Sequence, residues 1–162
     1  PERPDLPSQR IHLDICLLAA RDTRPMMLRN VYGVDLGTSG LILQAASREE
    51  IYADKVVAFA LRRNRLKYRD VWDIHWLRQQ NTPLRHEWLL AKASDHGCDA
   101  IRFGRVITER IKALAESAEL QREARAELSR FLMHDEALLL LDQPDFWTFF
   151  CDEFLRDLTP IL

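Results

Sequence analysis

The sequence predicts an α+β fold, a thin sheet with packed helices followed by a C-terminal helical bundle, and three observations predict it. Alternating and glycine-punctuated segments fill the first 46 residues, a helix-capping signal stands at Ser47, and beyond Asn81-Thr82-Pro83 every segment reads as helix. The expected division is a β-containing unit over residues 1–81 and a helical bundle over 82–162. With 162 residues, 47% of them apolar and 30% charged, such a chain has enough material for a sizeable core and fits the soluble globular class.

The elements follow in order. In IHLDICL, Ile11, Leu13, Ile15 and Leu17 alternate with His12, Asp14 and Cys16, as a half-buried strand requires, so Asp14 is expected on the face opposite the aliphatic side. Gly33, Gly37 and Gly40 then punctuate two short strands, expected over residues 31–36 and 41–46. A sheet this thin needs something packed on its apolar face. Ser47 with Glu50 three residues later is a capping box, in which hydroxyl and carboxylate satisfy orphan backbone donors. The helix it opens, over 48–62, has Tyr52, Val56, Phe59 and Ala60 as its apolar stripe. Lys55 lies beside that stripe, so its stem is expected under cover while its ammonium reaches an acidic or anionic neighbour. A helix over 70–79 carries Asp70, Asp73, Ile74 and Leu77 on one side. Carboxylates sharing a side with aliphatics point to a cleft.

Four more helices are expected. One covers 84–95 and ends at Gly97; one covers 98–117 with Ile101, Ile107, Ile111 and Leu114 on a flank; one covers 118–133. The last starts near Asp142 and Pro144, and Phe146, Phe149, Phe150 and Phe154 recur along it at helical spacing, so truncating Phe149 is expected to open a core cavity. Short connections join them into a bundle. Trp72, Trp76, Trp88 and Trp147 serve either base stacking or helix packing, and packing is the commoner use.

Composition excludes several functions. A net charge of -2 and a pI near 6.2 argue against coating nucleic acid by bulk electrostatics, so any RNA contact must be local. Cys16, Cys98 and Cys151 form no CxxC pair and the five histidines no HExxH, which argues against zinc. An odd number of dispersed cysteines fits a reducing compartment, with the cytoplasm as default. No apolar run approaches the roughly 20 residues that span a bilayer, and no signal-peptide pattern opens the chain, so no membrane partner is expected.

Asp14, Lys55, Asp70 and Asp73 are the ingredients of a metal and triphosphate site. A strand carboxylate offers magnesium the hard oxygen it requires, and a lysine neutralises phosphate oxygens as charge shifts in phosphoryl transfer. The plainer alternative is a solvated aspartate and a surface lysine. Arg62, Arg63, Arg65, Lys67 and Arg69 place five cations in eight residues without an acid. They serve either phosphate or RNA-backbone contact or the negative end of the preceding helix. Arg69 is also spaced to pair with Asp73, a surface pair worth about 0.3–0.5 kcal/mol.

Taken together, RIHLDI, then EEIYADKVVAFALRR, then KYRDVWDIHWL resembles the C-terminal portion of the AbiEii/AbiGii toxin family of nucleotidyltransferase-like proteins, over residues 10–78. In that family a strand aspartate precedes a Glu-x-x-x-Ala-Glu/Asp-Lys helix, an arginine, and an Arg/Lys-Asp-x-x-Asp helix. These fall here on Asp14, on Glu49, Ala53, Asp54 and Lys55, on Arg62 or Arg63, and on Arg69, Asp70 and Asp73.

The resemblance implies a DNA-polymerase-β-like nucleotidyltransferase sheet in the first unit and a bacterial, cytoplasmic toxin of an abortive-infection or toxin–antitoxin system. It implies a nucleoside triphosphate with magnesium, an acceptor such as tRNA or another RNA, and an antitoxin partner. It makes Asp14 a catalytic metal ligand, Lys55 catalytic and triphosphate-binding, and Asp70 and Asp73 a catalytic pair, with Arg62, Arg63 and Arg69 on the nucleotide. The family's first motif, a Gly-Ser turn followed by Asp-x-Asp, is not found in the sequence. The expectation is therefore a C-terminal piece of a longer protein or a degenerate relative, inactive by itself, whose alternative is a non-catalytic protein- or RNA-binding module that retains the fold.

Overall fold

Ser47 opens the first helix as its sequence context predicts. The computed structural model describes residues 15, 18–29, 33, 37, 40–63, 65–132, 135–143 and 145–162. Helix α1 (Arg48–Leu61) is capped by the Ser47 hydroxyl, which accepts the N–H of Glu50 at 3.1 Å. The other half of the capping box does not form. Glu50 is buried and accepts instead from the N–H groups of Arg21 (3.1 Å) and Asp22 (3.2 Å), while the Ser47 N–H donates to the Asp22 carbonyl. Its carboxylate thus ties the start of α1 to the chain entering the sheet.

That sheet is one antiparallel pair, β1 (Thr23–Met27) and β2 (Ile42–Ala46), in register Thr23 opposite Ala46 through Met27 opposite Ile42. β2 matches the strand expected over 41–46. β1 was not expected, because TRPMM lacks alternation and contains Pro25, which is tolerated in a strand whose other edge has no partner among the described residues. The strands expected over 11–17 and 31–36 lie outside the described residues except for Ile15 and Gly33, and Asp14 lies outside them too.

Helix α2 (Tyr68–Gln79) starts two residues before the expected position and ends in a turn where Asn81 takes a φ of 52°. Helix α3 (His86–Asp95) exits through Gly97, whose φ of 71° is the left-handed conformation that favours glycine. Helix α4 (Ala100–Glu116) is capped by Asp99, which accepts the N–H of Arg102 at 2.9 Å. Phe103, Ile107, Ile111 and Leu114 are its buried row, and Ile101 is corrected from that flank to solvent, at 87% exposure. Two residues before Phe103, a 100° step per residue turns it to the far side.

Ser117 ends α4 and caps α5 (Ala118–Leu128), which stops short of the expected 133. Helix α6 (Asp135–Leu141) is a separate short helix where only an apolar run was read. Helix α7 (Phe146–Leu158) buries Phe146, Trp147, Phe150, Cys151, Phe154 and Leu158. Phe149 falls outside that arc and is 60% exposed, so the expected cavity at 149 belongs to its neighbour Phe150. The molecule is mostly helical, seven α-helices with one small sheet among the described residues, an α+β arrangement.

One apolar cluster joins the helices, with Tyr52, Val56 and Phe59 of α1 meeting Ile74, Leu89, Phe103, Ile107, Phe150 and Phe154. The hairpin stands apart from it. Met26, Met27, Ile42 and Leu43 remain 46–65% exposed. Of the tryptophans, Trp147 is buried, Trp72 and Trp88 are partly buried against the core, and Trp76 is exposed under the Arg48 guanidinium at 5.5 Å.

His75 sits in this core against the rings of Trp72, Phe146 and Phe150, with Nε2 buried and lacking a hydrogen-bond partner among the described residues. Burial first, and the charge of Arg78 second, hold its pKa below the ordinary imidazole range. The folded protein therefore keeps His75 neutral where the unfolded chain already binds a proton, and stability falls as pH drops below about 6.5. Replacing His75→Phe is expected to flatten that slope. Urea denaturation at pH 7.5 and 5.5 compares the two, and equal pH dependence in both proteins would contradict it.

Candidate functional site

Lys55 leaves α1 on the side facing α2, and its ammonium meets Asp70 Oδ1 at 3.0 Å and Asp73 Oδ2 at 2.6 Å. Three residues separate these aspartates, so one helical turn presents both carboxylates to the same amine. Arg62, the C-cap residue of α1, donates from Nη2 to Asp70 Oδ2 at 2.8 Å. Asp70 thus has one oxygen on each cation. Its side chain is 8% exposed, against 42% for Asp73. The arrangement has a buried anchor, Asp70 with Arg62, and an open pair, Asp73 with Lys55.

Burial works against charge on Lys55, but hydrogen bonds and attraction from Asp73 and Asp70 outweigh it and leave the pKa raised. The amine is a fixed cation at neutral pH. It is suited to an anion and unsuited to the role of general base.

The group opens into a groove of about 630 Å³ whose walls also include Lys67, Arg69, Trp72, Phe131 and Leu132. The expected pairing of Arg69 with Asp73 is corrected: Arg69 extends the other way and lies 4.5 Å from the Phe131 ring centroid, while Asp73 is taken by Lys55. Lys55, already held beside Asp73 by Asp70, fills that carboxylate and leaves Arg69 to the ring. Arg63 is exposed and outside the groove's lining, and Arg65 pairs with Glu127 on α5 at 3.6 Å.

Asp54, adjacent to Lys55 in sequence, points elsewhere. It accepts from Lys92 of α3 at 2.6 Å, and Lys92 also donates to Glu50 at 2.5 Å. Neighbouring residues on α1 therefore fasten opposite helices, Lys55 to α2 and Asp54 to α3. Arg110 of α4 completes the support. Its guanidinium donates to the carbonyls of Phe59 (2.6 Å) and Arg62 (2.5 Å), satisfying acceptors that the end of α1 leaves open.

Lys92, Arg110 and Phe131 were missed from the sequence. They lie 38, 48 and 62 residues from Asp54, Arg62 and Arg69 respectively, and nothing local in a chain marks such partners. Lys92 is buried beside Leu89 and Ala93, and its helical spacing from those two apolar residues is the one local signal for it.

Magnesium fits poorly on what is described. Asp70 has both oxygens in ion pairs, and no cluster of three or more histidine, cysteine, aspartate or glutamate side chains suited to a metal occurs among the described residues. A hard cation needs oxygen ligands beyond Asp73. No helix among the described residues is long and apolar enough to cross a membrane.

Comparison with known proteins adds one finding. Residues 1–152 match the sequence model of a family described as nucleotidyl transferase AbiEii toxin, Type IV TA system. The match extends well past the 10–78 stretch and takes in α3 to α6 and part of α7. No curated protein and no solved structure matches the chain.

Proposed function

Because the chain belongs to the AbiEii nucleotidyl transferase toxin family, we propose that it carries the polyphosphate-contacting half of a nucleotidyl-transfer site. In this reading Lys55 binds the triphosphate of a nucleoside triphosphate, Arg62 and Arg69, which line the same groove, add cationic contacts while Arg63 lies outside it, and the nucleotide passes to an acceptor such as tRNA. The observation that carries it is the convergence of Lys55, Asp70 and Asp73 at the mouth of one open groove.

The different exposures of the two aspartates suit them to different roles. An incoming phosphate competes with the open Asp73 for the Lys55 ammonium, and Asp70 stays locked on Arg62. Asp73 either keeps its hold on Lys55 and orients it or, once released, accepts a proton from an attacking hydroxyl. Any magnesium falls to carboxylates beyond the described ones, Asp14 among them, and to the Gly-Ser and Asp-x-Asp segment that the sequence lacks. The exposed apolar hairpin supports a sheet continued by further strands. With them, residues 1–81 form the nucleotidyltransferase-like part and 82–162 the bundle that meets RNA or an antitoxin in the bacterial cytoplasm.

The test uses a protein that includes the first motif. Lys55→Ala and Asp73→Asn are each expected to lower transfer of labelled nucleotide at least about 100-fold while the melting temperature holds. Activity that falls only in proportion to the folded fraction would make these residues structural. The full engagement of Asp70 favours a second reading, a binding module without chemistry. Undiminished RNA or antitoxin binding by a wild-type protein that transfers nothing would select it.

A further inference from the structure

The Lys55 groove continues into a second one of about 530 Å³ between the loop before α2 and the end of α5, and the two share Lys67, Arg69 and Phe131. We propose that this second groove seats the unpaired end of a single-stranded RNA, with its phosphates on Lys67 and Arg130 and a base stacked on the Arg69–Phe131 pair. The inference rests on the nucleotidyl-transfer reading for its purpose, since it delivers an acceptor end beside Lys55. The binding chemistry stands on its own observations.

Two acids and four cations line this groove. Glu123 accepts from the Tyr68 hydroxyl at 2.9 Å and Glu127 faces Arg65 at 3.6 Å, whereas Lys67, Arg69 and Arg130 make no ion pair among the described residues. Glu123 is itself exposed and Glu127 Oε2 has no hydrogen bond among the described residues, so the positive balance of the groove comes from four cations, Arg65, Lys67, Arg69 and Arg130, against these two acids. Phe131 is 50% exposed, and the guanidinium of Arg69 stands 4.5 Å from its centroid, so a cation and an exposed ring already meet where a base could join them.

A ligand that uses both features must combine repeated anionic groups with flat π-faces. Single-stranded RNA has both; an acidic peptide uses only the cations, and a duplex hides its bases. The overall charge of -2 then acts as a filter, because attraction is confined to this patch.

Fluorescence anisotropy with a short unstructured RNA, run over a series of salt concentrations, tests the proposal on the whole chain. Phe131→Ala is expected to weaken binding about 5- to 150-fold with the salt slope unchanged. Lys67→Gln and Arg130→Gln are each expected to reduce the slope by about 0.7. Phe131→Trp should bind like the parent. Parent-like affinity in Phe131→Ala overturns the proposal, as does duplex RNA binding as tightly as the single strand, or polyglutamate binding where RNA does not. Loss of transfer in Lys55→Ala alongside parent-like RNA binding in Phe131→Ala would leave the nucleotidyl-transfer reading standing and remove only this seat.

Discussion

Phe150→Ala is expected to destabilise the protein by about 3–5 kcal/mol, and Phe149→Ala by no more than about 0.5 kcal/mol. The residues are adjacent in sequence and opposite in surroundings. Phe150 is 1% exposed, with rings of Phe146, Phe154 and His75 at 6.3, 5.7 and 6.0 Å, so truncation removes both the transfer energy and contacts that those rings cannot restore. Phe149 is 60% exposed. Urea midpoints at constant m-value measure the difference. If Phe150→Ala leaves too little folded protein, Phe150→Leu is expected to lose about 1 kcal/mol. Equal losses at 149 and 150 would mean that α7 is rotated from the orientation described.

Asp70→Asn is the second large effect, at about 2–3 kcal/mol, while Asp73→Asn should stay within about 0.5 kcal/mol. Removing one member of a buried ion pair costs about 3–5 kcal/mol, because the partner is left charged and uncompensated. The lower figure applies because Lys55 and Arg62 keep 30% and 31% exposure and retain access to water. An amide at 70 would also direct donors at two cations. Thermal melts of both variants at pH 7 decide it, and a small, equal effect of the two would show that Asp70 anchors nothing.

Much of the site was legible in the sequence because local periodicity governs it. A three-residue spacing fixes that Asp70 and Asp73 share a face, and a lysine beside an apolar stripe needs an anion for its ammonium, which is what the structure supplies at 3.0 and 2.6 Å. Helices were legible where caps and glycines are strong, as at Ser47 and Gly97. Three of the failures share one cause. Ile101, Phe149 and the end of α5 depend on which arc of a helix meets its neighbours, and that is set by tertiary packing and absent from local spacing. β1 was invisible because both its faces are exposed and no alternation records a buried side. The Glu50 half of the capping box failed because Lys92 and two backbone amides from distant parts of the chain compete for the same carboxylate.

Asp54 and Lys55 leave one turn of α1 in divergent directions, and Arg110 grips the last carbonyls of the same helix. That helix is therefore a splint bound at three points to three different neighbours. A guest entering beside Lys55 meets a wall that does not swing, and the fit must come from rotation of exposed side chains, Asp73 and Arg69 foremost. A recognition surface of this kind gains selectivity from being preshaped and gives up the tightening that a closing jaw provides.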